Sequence, residues 1–475
     1  MKPRIVVLGA GFAGHTAALH LSRILKGRAD LTVVAPGDRF TWFPSLIWVG
    51  TGTMSPEETH FELAPVYERV GADYVNGRAV EIHPDVAKVV VERADGTRSD
   101  LSYDYCLNAT GPYLNFAGTP GLGPSTGNSL SVCSVEHAVQ TREQYLRIVE
   151  DLKLGKRRRL LIGIGHPAAT CEGAAFEYLM NVDADLRLRG LRDHAELTWL
   201  TNEPEPGDFG VDGIEVMKHG SLSTGASLVR GLLDESDVRI LMSAGITKVE
   251  SGRADYEQAG SDPSSVDFDF AMLIPQFRGI PIKYVAADGS DITKEMTQPN
   301  GFMNVDADYA PKPYDQYRGT DWPATYRSPK YANLYAAGIA FAPPHPLSKP
   351  KKTPSGNVIV ATVPRTGMAA GIMGRTVAYN ILDQIEGREP SHHARMSEIP
   401  AACIASMGNS FWKGSAASII MTPVARDFQK YPKYGRDLAL CDMEVGLGGA
   451  WTKRALHSAF LYKLQARPGW PLIPE

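Results

Sequence analysis

Five cysteines in 475 residues are too few for a disulfide framework, and the odd count leaves at least one thiol unpaired within the chain. No run of about 18 uninterrupted apolar residues occurs, so the sequence predicts no membrane-spanning helix. No export signal is expected either: Met1-Lys-Pro-Arg leads straight into Ile5-Val-Val-Leu8, too short for a signal-peptide core. The formal net charge is only −4, which gives no support to a nucleic-acid partner. The one histidine pair, His392-His393, has no third ligand near it, so no metal site is expected. Glycine (46) and proline (33) are plentiful, which suits a loop-rich α/β enzyme of two or three domains.

The first 35 residues carry a dinucleotide pattern. Ile5–Leu8 reads as a buried strand, Gly9-Ala-Gly11-Phe-Ala-Gly14 as a tight turn, His15–Leu25 as a helix and Leu31–Val34 as a second strand. Gly9 permits the turn, Gly11 lets a pyrophosphate approach, and Gly14 lets helix and strand pack closely. The helix N-terminus supplies free N–H groups for phosphate. No acidic residue ends the second strand. Asp38, after Ala35-Pro-Gly, takes the ribose from a shifted position, or backbone alone holds it.

The plan then repeats. A strand Tyr103–Asn108 runs into Ala109-Thr110-Gly111-Pro112, and a helix is predicted over Val135–Leu154. Arg159–Ile162 is a strand, Gly163-Ile-Gly165-His-Pro167-Ala168 a turn, Ala168–Met180 a helix, and Glu196–Leu200 a strand. This second turn lacks its third glycine, and Pro167 removes an N–H that phosphate would need. An intact NADH site is therefore not expected. Cys171 is placed in the first turns of the helix, where the dipole favours thiolate and lowers the thiol pKa. Glu177, six positions on, is a candidate proton acceptor. On these residues alone, the preferred reading of Cys171 is a small buried apolar side chain.

Residues 250–330 read as irregular, with 306–330 a long surface insertion. Asn333–Gly338 is a late strand that returns to the first sheet, and Thr366–Ile385 is a helix. The expected class is α/β: a discontinuous Rossmann-like domain (1–114 and 300–390), a second one (115–299), and a C-terminal module (391–475).

Several further motifs stand in one order along the chain. They are Arg39-Phe-Thr-Trp-Phe-Pro-Ser-Leu-Ile-Trp48, Ser131-Val-Cys133 with His137, the stretch Cys171 to Glu177, and Ile274-Pro-Gln-Phe277-Arg-Gly279. Ala336-Ala-Gly338-Ile-Ala-Phe-Ala-Pro-Pro344, Val363-Pro-Arg365-Thr366-Gly367-Met368 and Ile399-Pro-Ala-Ala-Cys403 follow. In these the chain resembles the sulfide:quinone oxidoreductases, flavoproteins related to type II NADH dehydrogenases and flavocytochrome c sulfide dehydrogenase.

The resemblance implies FAD held by Gly9, Gly11, Gly14, Asp38, Arg39, Thr110, Gly111, Gly338, Arg365, Thr366 and Gly367. It implies that Cys171 and Cys403 form the redox pair, often bridged by extra sulfur, with Cys133 near the flavin; Cys106 and Cys441 match no functional position. His137 falls where a proton relay has been proposed, against a structural hydrogen bond. The implied partners are sulfide, polysulfide and a membrane quinone, with Phe277 against the flavin ring and Phe460 and Tyr462 on the quinone side. The need to meet quinone implies peripheral, monotopic attachment to the cell membrane. The helix Trp451–Leu464 would lie on the bilayer surface, anchored by Lys453, Arg454, Lys463 and Arg467. Association with copies of itself is compatible with this picture. Asp208 stands where the family often has histidine, Arg365 where it often has lysine, and the insertion is longer than usual. The rival readings are a type II NADH:quinone oxidoreductase, which needs an intact second turn, and the flavin subunit of a sulfide:cytochrome c dehydrogenase, which needs an export signal.

Overall fold

The first apolar run becomes the strand Arg4–Leu8, at the centre of a five-stranded parallel sheet. The computed structural model describes all residues from Met1 to Glu475. On one side of Arg4–Leu8 lie Asp30–Ala35 and Asp73–Asn76; on the other lie Tyr105–Asn108 and Leu334–Ala336. Ile5, Val7 and Leu8 are fully buried, as a strand covered on both faces demands. Leu334–Ala336 does return to the first sheet, as expected from Asn333–Gly338.

A second parallel sheet has the order Val238–Leu241, Ala195–Leu200, Arg158–Ile164, Phe270–Ile274. The short antiparallel pair Pro112–Asn115 with Gln276–Gly279 stands between the two halves. The α/β class with two Rossmann-like sheets is thus the fold observed. Residues 401–446 add a three-stranded antiparallel sheet of Ala401–Met407, Ser415–Met421 and Asp442–Gly446.

Helix α1 (Phe12–Leu25) starts three residues before the expected His15. Gly11 is its extended N-cap, so the third glycine lies inside the helix: a Cβ on Gly14 would stand 2.0 Å from the Gly9 carbonyl oxygen. Helix α2 (Leu46–Gly50) is short and wholly buried. Helix α3 (Val135–Lys153) is capped by Ser134, whose hydroxyl accepts the His137 N–H at 3.2 Å. Helix α4 (Glu172–Leu188) begins at Glu172, not Ala168, with Cys171 as its N-cap. Helix α5 (Gly367–Ile385) is capped by Thr366 and packs tightly on α1; a Cβ at Gly374 would meet the Ala13 oxygen at 2.1 Å. Helix α6 (Leu447–Leu464) covers the antiparallel sheet.

Two expectations fail. Residues 250–330 are not simply irregular, because Arg253–Gln258 and Ser261–Asp267 join Ala244–Glu250 in an antiparallel meander. Ser261-Asp-Pro-Ser-Ser has almost no strand preference and is exposed, so pairing, not side-chain type, sets its conformation. The segment 306–330 is also not a surface loop throughout. Trp322 and Tyr326 are buried, and the Asp306 carboxylate accepts the N–H groups of Ala324 and Thr325 at 3.1 and 2.7 Å.

Candidate active site

Above the carboxyl end of the strand Arg4–Leu8, Gly9 takes φ +99°, and a Cβ there would lie 2.2 Å from the Ala109 oxygen. Gly11 differs: a Cβ on it would meet nothing within 4 Å. The outer glycines serve close packing, and the middle one leaves an open face at the start of α1, whose first N–H groups have no helical partner. Thr110 donates from its N–H and hydroxyl to Asn108 Oδ1, at 3.3 and 2.8 Å, and Gly111 turns the chain at φ +71°. Asp38 and Arg39 are exposed at the rim. Gly338 (φ +68°) and the Thr366–Gly367 start of α5 close the other side; a Cβ at Gly367 would stand 2.8 Å from the Phe12 ring. An open glycine between two free helix N-termini fits the dinucleotide FAD.

The second turn is sealed by the chain itself. Val360 donates its N–H to Pro167 O at 3.0 Å and Thr362 its N–H to Ala169 O at 3.1 Å. The Thr170 hydroxyl donates to Val363 O at 3.0 Å, and Asn202 Nδ2 donates to Ala169 O and Val360 O at 3.1 and 3.0 Å. The segment 360–363 thus lies along the turn where a second nucleotide would have to sit.

Cys171 sits at this turn in left-handed backbone, φ +72°, a costly conformation for a residue with a Cβ. Cys403 comes to it from the strand Ala401–Met407: a Cβ at Gly173, in the first turn of α4, would stand 3.4 Å from Cys403 Sγ. Cys171, Cys133 and Cys403 each keep some exposed surface yet lie deep among other atoms. Burial pushes the Cys171 thiol well up, with smaller additions from Cys133 and Glu172. It pushes Cys133 and Cys403 up to about 11. The expected lowering by the helix dipole is therefore overturned: desolvation outweighs it. Arg365 opposes the rise at Cys171. Its guanidinium lies over the Phe302 and Phe341 rings at 5.0 and 5.2 Å and is itself lowered to about 10 by burial. Cys106 and Cys441 are buried away from this group.

Glu177 is not a free proton acceptor. Its Oε1 receives the Lys453 ammonium of α6 and the Ser406 hydroxyl. Lys453 Nζ also donates to Ile404 O at 2.8 Å, next to Cys403. Trp48 Nε1 and Asn181 Nδ2 donate to Ser406 Oγ at 3.0 and 2.9 Å. One buried junction thus ties α2, α4, α6 and the Cys403 strand together.

The remaining candidates scatter. His137 Nδ1 is 3.0 Å from Ser131 Oγ, its ring is edge-on to Phe116, and burial lowers its pKa. Phe277 pairs across to Leu114 and has no aromatic neighbour. Phe460 stacks on Trp42 at 5.3 Å, while the Tyr462 hydroxyl donates to Pro468 O at 2.8 Å. These three do not form one aromatic site. Sequence reasoning missed Glu172, which follows Cys171, and with it Glu203 and the burial of Asp208, whose charges act on Glu172. The available signal was Glu172 itself, a lone charge in Pro167-Ala-Ala-Thr-Cys-Glu-Gly-Ala-Ala-Phe176.

Residues 3–176 match the pyridine nucleotide-disulphide oxidoreductase family. The chain is 27% identical over 410 residues to the sulfide-quinone reductase of Aquifex aeolicus, covering 86% of this chain and 82% of that protein. The solved sulfide:quinone oxidoreductase of the same bacterium superposes with a TM-score of 0.77 at 25% identity, covering 98% of this chain and 92% of that one. An internal alternative NAD(P)H-ubiquinone oxidoreductase of Solanum tuberosum is 25% identical over 300 residues, 58% of each chain. Sequence and fold together make the chain a homologue of sulfide-quinone reductase.

Proposed function

We propose that the chain oxidises sulfide at a Cys171–Cys403 pair and passes the electrons through FAD to a membrane quinone. The observation that carries this reading is Cys403 Sγ poised over the first turn of the helix that Cys171 caps, at a dinucleotide turn closed to a second nucleotide. HS⁻ attacks one sulfur of the bridged pair; the S–S bond breaks, leaving a persulfide on one cysteine and a thiolate on the other. Repeated addition lengthens the sulfur chain until polysulfide or elemental sulfur leaves. FAD, when bound, supplies the two-electron acceptor. Gly9, Gly11, Gly14, Gly338, Thr366 and Gly367 hold it, and Arg365 favours the thiolate at Cys171. Anaerobic stopped-flow absorbance tests this: sulfide bleaches the flavin and decylubiquinone restores it. Bleaching by NADH with none by sulfide would overturn the reading.

Membrane contact follows from the quinone. No helix is long and apolar enough to cross a membrane. Two of the four expected basic anchors are turned inward: Lys453 is 7% and Lys463 1% exposed, drawn in by Glu177 and Glu475, whereas Arg454 is half-buried and Arg467 exposed. The outward face of α6 is mixed, with Thr452 and Ser458 among its apolar residues. Trp451, Ala455 and Tyr462 are exposed, and Trp451 donates to Phe411 O at 2.9 Å beside the exposed tip Phe411-Trp412-Lys413. Such a surface suits the headgroup boundary of a bilayer. Replacing both Phe411 and Trp412 with serine is expected to lower binding to anionic lipid vesicles at least roughly tenfold, since burying one such ring contributes about 1.5–3 kcal/mol. Sulfide-driven bleaching in detergent should be unchanged; co-sedimentation with vesicles reads the first effect and stopped flow the second.

A further inference from the structure

We propose that Glu172, Glu203 and Asp208 form a shared proton store that accepts protons from the sulfur at Cys171 and passes them outward by way of Ser348. The inference rests on the sulfide reading above. The attacking HS⁻ carries one proton and leaves as zero-valent sulfur with none. Its two electrons go to the quinone by way of FAD, so its proton must be set down near Cys171.

These carboxyls are 1%, 0% and 1% exposed. The other buried acids have a cation: Glu177 has Lys453, Asp183 has Arg187 and Arg192, Asp185 has Arg189, Asp321 has Lys312 and Asp383 has Arg388. Glu172, Glu203 and Asp208 have none, and a charge on one opposes a charge on the next. Three unpaired buried carboxylates cannot all be ionised, so protons stay among them.

Hydrogen bonding places one of those protons. Glu172 Oε1 and Asn202 Oδ1 are both buried acceptors without a donor, and Asn202 stands beside the Glu172 carboxyl. The Asn202 amide cannot turn round to serve, because its NH₂ is held by the carbonyls of Pro167, Ala169 and Val360. A hydrogen on Glu172 Oε1 satisfies both orphans at once.

Proton affinity falls outward from the site. Burial, then the charge of Glu203, holds Glu172 far above the carboxylate range. Burial, then Asp208, lifts Glu203 to about 8, and burial lifts Asp208 to about 6. Glu203 is fixed by the Phe209 N–H and the Thr201 hydroxyl, both at 2.7 Å. Asp208 accepts the Ser348 hydroxyl, and Ser348 Oγ accepts the N–H of Asp212, whose own carboxylate is 42% exposed. The route therefore runs outward as far as Ser348, itself buried against the Asp212 backbone.

Infrared difference spectroscopy on the FAD-loaded enzyme, before any sulfide, tests the store directly. Wild type at neutral pH shows a protonated-carboxylic-acid carbonyl band, and Glu172→Gln removes the component that belongs to Glu172 while that of Glu203 stays. A second arm follows proton release with a pH dye during anaerobic sulfide bleaching. In wild type the protons lag the bleaching; in Glu203→Gln they do not, and bleaching slows roughly a hundredfold. Ser348→Ala, which leaves all three carboxyls in place, keeps the band but lengthens the lag, so the store is still tested if a carboxyl variant fails to fold. Absence of the band, or equal proton lag in wild type and both lag variants, overturns the store. The infrared arm needs no sulfide: a band without bleaching overturns the sulfide reading and leaves the resting protonation established.

Discussion

Replacing Cys403 with serine abolishes flavin bleaching by sulfide, with a loss of at least roughly a thousandfold in the single-turnover rate, the scale on which removing a covalent nucleophile acts. The same holds for Cys171→Ser. Serine has nearly the same volume, and both thiols keep exposed surface, so packing is hardly disturbed. FAD content and thermal midpoint should match wild type, because the cradle at Gly9, Gly11 and Gly14 lies on another sheet. An oxygen cannot form the bridge that HS⁻ opens, so each variant stops at the first step. Reoxidation of chemically reduced flavin by decylubiquinone should continue at the wild-type rate. A Cys403→Ser enzyme that sulfide still bleaches within tenfold of wild type would remove Cys403 from the reaction.

The second large effect is on stability. Lys453→Met leaves the Glu177 carboxylate buried without its cation, and losing one partner of such a pair costs about 3–5 kcal/mol. The double variant Lys453→Met with Glu177→Gln should regain most of that loss, because a neutral amide can still accept from Ser406. Chemical denaturation of the four proteins in the cycle gives the coupling directly. Additive single effects would show that the two charges do not act as a pair. Lys453 also donates to the carbonyl beside Cys403, so the single and the double variant should both loosen that strand and lower the sulfide-driven rate.

Much of this was legible along the chain because it is local. The first glycine turn is specified within six residues, and Pro167 announces the failed second one. Thr366 caps α5 by a bond to its own third residue, so that helix was readable to within a residue. Distance in sequence hid the rest. Lys453 reads as a surface anchor until the fold brings Glu177, 276 positions earlier, against it. The Ser261–Asp267 strand has no pattern of its own and exists because Arg253–Gln258 pairs with it. Helix α4 starts late because Cys171 is left-handed, and no local signal near Ala168 requires that. The lowered thiol pKa was inferred from a helix dipole, whereas burial, which depends on the whole fold, governs it.

The first parallel sheet has a consequence for biosynthesis. Its edge strand, Leu334–Ala336, and its covering helix α5 are among the later parts of the chain to be made, yet α5 meets α1 backbone against backbone at Gly374 and Ala13. The strands of the second sheet all lie between residues 158 and 274. As the chain emerges, that second sheet has all its strands while the first still lacks an edge. The FAD cradle therefore closes only after the helix behind Cys171 has a folded support, and Cys403, made later still, is the last part of the site to arrive.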